Sequence, residues 1–158
     1  MEKLSKIGLD KKESQELIDL LNDLLANYQV FYQNNRGFHW NIKGDKFFEL
    51  HAKFEELYTD LQEKIDEIAE RVLTLGGTPL HTFDDYLSMS EVKAVKDASE
   101  ARVCVQAILD AFSVLLVKQR EILDVSAEVG DEGTNAMASD YIREQEKLVW
   151  MYAAWLNK

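Results

Sequence analysis

Little in this chain interrupts a helix. It holds one proline and seven glycines, and Val, Ile and Thr are sparse beside Leu, Ala, Glu and Lys. That balance favours helix over sheet. Disulfide chemistry is missing too. A single cysteine, Cys104, excludes an intrachain disulfide framework and suits a reducing compartment. Its neighbours Val103, Val105 and Ile108 predict a buried thiol. No run approaches the ~20 apolar residues of a membrane span. Met1–Asp10 lacks the apolar stretch of a secretory signal. The expected location is cytoplasmic. Positive charge is short as well: 18 Lys and Arg face 29 Asp and Glu, for a formal net charge of −11. Such a body repels nucleic acid and draws cations.

What the chain does have is helical periodicity. Its 158 residues suit one ordinary domain with a sizeable core, so residues 1–158 are expected to form a single domain with residues 1–10 as a short N-terminal tail. Asp10, with Glu13 three residues on, is placed to cap a first helix. Leu17, Leu20, Leu21, Leu24, Tyr28, Phe31, Asn35 and Phe38 then recur at helical spacing. Asn41–Asp45 breaks the pattern. A second helix is predicted from about Phe47 to Leu75, stopping at Gly76-Gly77. Residues 76–90 form a long connection with Pro79 and a short helical turn over Phe83–Leu87. A third helix is predicted from near Ser90, carrying Val92 and Val95 and ending at Gly130. A fourth follows from about Thr134. Connections that run short, long, short predict an all-α, ferritin-like four-helix bundle with one long crossover.

The second helix has three faces at ~100° per residue. Leu50, Phe54, Leu57, Leu61, Ile65, Ile68, Val72 and Leu75 form a core stripe. Glu49, Lys53, Glu56, Asp60, Lys64, Glu67 and Arg71 form a charged face that reads as solvent. Phe48, His51, Glu55, Tyr58, Gln62, Asp66, Ala69 and Leu73, with Glu70 at the edge, mix apolar residues with metal-binding types. The simplest account of that third face is a second interface. A surface with scattered apolar residues is the plainer alternative.

His39 ends the first helix beside Trp40. His51 and Glu55 are one turn apart on the second, as are Asp66 and Glu70, and such pairs can hold one ion. Imidazole with carboxylates suits borderline divalent metals, iron among them. Taken singly, each residue also has an ordinary reading as a helix-end or solvated side chain. His81 reads as a loop residue. His51 and Asp66 lie ~22 Å apart along the helix at ~1.5 Å per residue, so one chain cannot bring them to one ion. Across a two-fold axis with antiparallel helices, they can face one another, with the axis between Tyr58 and Thr59. Ferritin-like bundles with an internal metal site use Glu-x-x-His pairs, and the sequence has none. A HExxH motif, a Walker loop and a CxxC pair are absent as well.

These residues resemble the Dps family, the DNA-binding proteins from starved cells or miniferritins. The resemblance is carried by Arg36-Gly37-Phe38-His39-Trp40-Asn41-Ile42-Lys43-Gly44, by Phe48, His51, Asp66, Ala69-Glu70-Arg71 and Leu75-Gly76-Gly77-Thr78-Pro79, and by Thr134, Lys147 and Trp150. It runs from about residue 14 to the end. It implies a hollow dodecameric shell with ferroxidase sites at two-fold interfaces. His39 and His51 would come from one subunit, Asp66 and Glu70 from its mate, and Glu55 would lie near a second iron position. It implies iron storage and detoxification, with hydrogen peroxide oxidising ferrous iron. Many relatives carry a longer lysine-rich N-terminal tail that binds DNA. Here only Lys3 and Lys6, with Lys11 and Lys12 at the helix start, stand in that region, so weak DNA binding is expected. The alternative function is a DNA-compacting shell with little iron chemistry. The acidic opening of the fourth helix, an iron-entry pore in the family, keeps Asp131 and Glu132, but Ala136 stands where relatives often have Asp.

Overall fold

The computed structural model describes residues 3–158; Met1 and Glu2, the start of the expected tail, lie outside the described residues. The elements run α1 (Ser14–Asn41), α2 (Phe47–Thr74), α3 (Phe83–Met89), α4 (Ala101–Glu128) and α5 (Glu132–Trp155). Among the described residues the only β pairing is an isolated bridge between Leu4 and Asp10, and no helix is long and apolar enough to cross a membrane.

Four helices of 24 to 28 residues span about 36–42 Å each at ~1.5 Å per residue. Cross-helix contacts set their directions. Tyr32 meets Tyr58 and His39 meets His51, so α1 and α2 are antiparallel. Phe31 packs edge-on against Phe112 while Lys118 pairs with Asp23, so α1 and α4 are antiparallel as well. It follows that α2 and α4 run parallel. That is why the connection between them must travel the length of the bundle. α3 lies within this crossover and packs on α1.

The expected core stripe of α2 holds: Leu50, Phe54, Leu57, Leu61, Ile68, Val72 and Leu75 are buried and Ile65 is half-buried. Tyr28, Phe31, Phe38, Phe54 and Phe112 are the largest fully buried side chains. Gly76, at φ +92°, takes the left-handed turn that ends α2, and its amide donates to the Leu73 carbonyl. Cys104 is buried, and burial pushes its thiol up to about 11.

At mid-bundle the core turns polar but stays neutral. The Tyr28 hydroxyl donates to Gln119 Oε1 at 2.5 Å, Gln119 Nε2 donates to Gln145 Oε1 at 2.8 Å, and Gln145 Nε2 donates back to the Tyr28 oxygen at 2.6 Å. This closed ring satisfies three buried side chains at once. No Glu-x-x-His pair is available to build a metal site in the interior.

Three expectations need correction. The helix expected from Ser90 begins only at Ala101. Backbone groups of residues 90–95 are held instead by two asparagines of α1. Asn27 Oδ1 accepts from the amides of Glu91 and Val92. Asn34 donates to the Lys93 carbonyl and accepts from the Val95 amide. With partners supplied from outside, the segment has no need of helical bonds. The charged face of α2 is only partly solvent. Lys64 is 5% exposed and its ammonium bridges Asp60 at 2.7 Å and Glu144 of α5 at 2.8 Å. The expected tail is a folded turn from Lys3 onward. The Ser5 amide donates to the Leu9 carbonyl, the Lys11 amide to the Lys3 carbonyl, and Lys3 pairs with Asp10. Asp10 accepts from the amides of Lys12 and Glu13, one turn ahead of α1.

Candidate metal centre

The α1–α2 turn brings the two candidate histidines face to face. Their rings stack at 3.8 Å between centroids, 12° from parallel. Nδ1 of His39 donates to the His51 carbonyl, and Nδ1 of His51 donates to the His39 carbonyl, both at 2.6 Å. A carbonyl only accepts, so each Nδ1 carries a proton, and in the neutral form of either ring the lone pair falls on Nε2. Neither Nε2 hydrogen-bonds to any described residue. The main chain thus holds both imidazoles by Nδ1, the outer support that a metal-ligating histidine commonly has.

Aromatic side chains brace the pair. Phe47 stacks on His51 at 4.9 Å, and Tyr58 meets His39 edge-on at 5.3 Å. Arg36 lies over the Tyr58 ring at 4.8 Å and the Trp40 ring at 5.1 Å, and donates to the Tyr32 hydroxyl. Sequence reasoning gave Phe47 no role and Arg36 only a place in a motif. The spacing of Phe47 four residues before His51 was the available signal. His39 is nearly buried at 8% exposure, whereas His51 is half-buried.

Glu55, Asp66 and Glu70 are exposed on α2. Glu55 sits one turn from His51, and the Tyr58 hydroxyl reaches it at 3.5 Å. The side chains of Asp66 and Glu70 make no ion pair among the described residues. One chain does not bring them to the histidines, in keeping with the ~22 Å axial separation. Among the described residues, no three His, Cys, Asp or Glu side chains converge to hold an ion. On the same face Phe48 is 85% exposed and Leu73 58%. His81 lies in the crossover, exposed, with Nδ1 3.0 Å from the Pro79 carbonyl.

The acid expected at a pore is engaged elsewhere. Asp131 is 2% exposed and receives a 2.6 Å bond from Arg71 of α2. It also caps α5 by accepting from the Thr134 amide. Arg71 Nε donates to the Thr134 hydroxyl. A Cβ on Gly133 would come within 2.7 Å of the guanidinium, so glycine there leaves room for it.

A bundle of four long helices with one long crossover defines a ferritin-like protein. The ferritin family model, described as a ferritin-like domain, matches residues 18–158. A Dps protein of Vibrio cholerae O1, described as a member of a broad superfamily of ferritin-like diiron-carboxylate proteins, superposes with a TM-score of 0.97 at 59% identity, over 99% of this chain and 98% of that one. A Dps protein from Bacillus brevis superposes with a TM-score of 0.88 at 38% identity, over 92% and 97%. The DNA protection during starvation protein of Porphyromonas gingivalis is 42% identical over the full length of both chains. The chain belongs to the Dps family of ferritin-like proteins.

Proposed function

We propose that this protein is a ferroxidase and iron store, oxidising ferrous iron with hydrogen peroxide at sites shared by two subunits of a hollow twelve-subunit shell. The reciprocal His39–His51 pair carries this reading. It leaves both Nε2 atoms without a partner among the described residues, on helices whose exposed α2 face also bears Glu55, Asp66 and Glu70. The rest of the site must come from a second copy, because Asp66 and Glu70 lie too far along α2 to reach the same ion. An antiparallel pairing about Tyr58–Thr59 sets His51 opposite Asp66 of the partner subunit and covers Phe48 and Leu73. The relatives named for diiron-carboxylate chemistry and for DNA protection during starvation support the same role.

In this reading, His39 and His51 supply neutral nitrogen ligands, and Asp66 and Glu70 of the partner subunit supply anionic oxygen. Glu55 stands by a second iron position. That mixed set suits ferrous iron and holds ferric iron more tightly as charge rises. Two ferrous ions give one electron each to one peroxide, which takes up two protons and leaves as two waters. Ferric product hydrolyses and is stored inside the shell, so ferrous iron and peroxide are removed together. With a net charge of −11 and Lys3 tied to Asp10, the protein binds DNA weakly at physiological salt.

Stopped-flow oxidation of ferrous iron by the metal-free protein, with peroxide and oxygen compared, tests the chemistry. Fast ferric formation with peroxide is expected; a rate no greater than that of buffer would overturn it. Light scattering should give a mass near twelve times 18.2 kDa, and a monodisperse monomer would end the shared-site reading. Gel retardation across a salt series tests the DNA-compacting alternative: tight duplex binding that persists at physiological salt would favour it.

A further inference from the structure

Four of the six tyrosines form a file through the bundle, with ring contacts at every step but Tyr32 to Tyr28, which helical spacing alone brings near. It starts at the candidate metal centre, where Tyr58 meets His39 edge-on at 5.3 Å. Tyr58 meets Tyr32 at 6.1 Å. Tyr32 and Tyr28 are one turn apart on α1, where Cβ atoms lie about 5–6 Å from one another. Tyr28 meets Tyr141 of α5 at 6.2 Å. The file ends on the α2–α5 seam, where the Tyr141 hydroxyl donates to Glu67. Farther along the same two helices lies a groove of about 310 Å³ whose lining includes Glu56, Asp60, Glu144 and Lys147 but neither Tyr141 nor Glu67.

The hydrogen-bond partners differ along the file, and the difference sets a direction. Oxidising a phenol to its neutral radical requires a place for the proton. Tyr32 accepts from the Arg36 guanidinium, a cation that cannot take a proton and disfavours positive charge nearby. Tyr28 donates to an amide oxygen, that of Gln119, which is a poor base. The Tyr58 hydroxyl lies 3.5 Å from Glu55, too far for a strong bond. Tyr141 alone donates directly to a carboxylate at hydrogen-bonding distance. It is 4% exposed, so a radical there is shielded from solvent. Lys64 holds its ammonium 5.1 Å from the Tyr141 ring centre, fixed by Asp60 and Glu144.

We propose that Tyr58, Tyr32, Tyr28 and Tyr141 form an electron relay that carries a stray oxidising equivalent from the metal centre to Tyr141 at the seam. The proposal rests on the ferroxidase reading, which supplies both reactants. When peroxide meets one ferrous ion instead of two, a one-electron oxidant of hydroxyl-radical class forms. That oxidant takes one electron from Tyr58, which is refilled in turn from Tyr32, Tyr28 and Tyr141. Tyr141 passes its phenolic proton to Glu67 and becomes a neutral radical. A further ferrous ion, the protein's own substrate, returns one electron and becomes ferric, and the proton comes back from Glu67. The net transfer is one electron from ferrous iron to the oxidant, with no side chain consumed. The four tyrosines act as relay groups and bind no iron.

The test is freeze-quench electron paramagnetic resonance on the assembled protein, given substoichiometric ferrous iron and then peroxide. Ring-deuterated tyrosine distinguishes tyrosyl from tryptophanyl signals, and ferric absorbance is followed in parallel. A tyrosyl signal is expected in the wild type. Tyr141→Phe should lose that signal, keep its rate of ferric formation, and accumulate tyrosine oxidation products nearer the metal centre. Glu67→Gln keeps the phenol but offers a poorer proton acceptor, so the signal should decay faster; it serves equally if the phenylalanine variant does not assemble. An unchanged signal in both variants, a purely tryptophanyl signal, or ferric product with no radical at all would overturn the relay alone. Absence of ferric product would overturn the ferroxidase reading and the relay with it.

Discussion

His39 and His51 hold each other by the main chain: Nδ1 of each ring donates to the backbone carbonyl of the other at 2.6 Å, with the rings stacked 3.8 Å apart. The arrangement is symmetric although the residues sit on different helices. It ties the end of α1 to the start of α2. A ligand pair locked before metal arrives loses little orientational freedom on binding.

The lock predicts a tautomer. In the metal-free protein both neutral rings should be protonated at Nδ1 and bare at Nε2, the reverse of the preference of a free histidine side chain. Nitrogen-15 NMR of labelled histidine, recorded where the rings are neutral, reads this directly. Protonation at Nε2 in either ring would mean that its carbonyl bond does not exist in solution.

Cys104 should ignore thiol reagents in the native state. The thiol is fully buried, and burial raises it to about 11 from its usual 9.0. The native state therefore keeps a proton that the unfolded chain loses above 9. Stability falls as pH rises between those values, because there the unfolded state binds fewer protons. Aromatic-disulfide labelling should be slow at neutral pH and complete after denaturation. Rapid native labelling would show an opening that the packing gives no reason to expect.

Arg71 and Asp131 join the end of α2 to the start of α5. Truncation of Arg71 to Ala leaves a nearly buried carboxylate without its cation, which typically costs about 3–5 kcal/mol. Arg71→Lys should rescue only part, since a single ammonium cannot serve Asp131 and Thr134 with the fixed fork of a guanidinium. Denaturant melts and amide exchange over residues 131–135 check this. If Arg71→Ala melts as the wild type does, Asp131 is free to act as the pore acid the resemblance suggested.

The long helices could be read from the sequence because local signals mark them. Gly76 and Gly130 punctuate the chain, and the apolar stripe of α2 repeats every three or four residues. The segment 90–100 misled because Val92 and Val95 mimic that repeat. What decides its conformation is Asn27 and Asn34, which stand some sixty residues away and reach across from α1. Lys64 misled for the same reason: its charge suggests water, but Glu144 arrives from α5 to bury it. The sequence placed both histidines beside the first turn. It could not show that each would satisfy the other's carbonyl, since that depends on the angle between two helices.

The sharing of the metal centre gives the most demanding prediction. His51→Ala and Asp66→Ala proteins should each be nearly inactive as ferroxidases, because every shared site in a pure variant lacks one ligand. Mixed by co-refolding, they should recover. In a mixed dimer one site loses both His51 and Asp66, while the other combines an intact His51 with an intact Asp66 of the partner subunit. Random pairing makes about half of the dimers mixed, each with one good site of two, so activity should approach roughly a quarter of wild type if sites act independently. Native mass spectrometry of isotope-labelled chains shows whether subunits have scrambled. A centre built within one chain would gain nothing from pairing, since each chain would still carry its own defect. Scrambled shells that stay inactive would therefore rule out a site shared by two subunits.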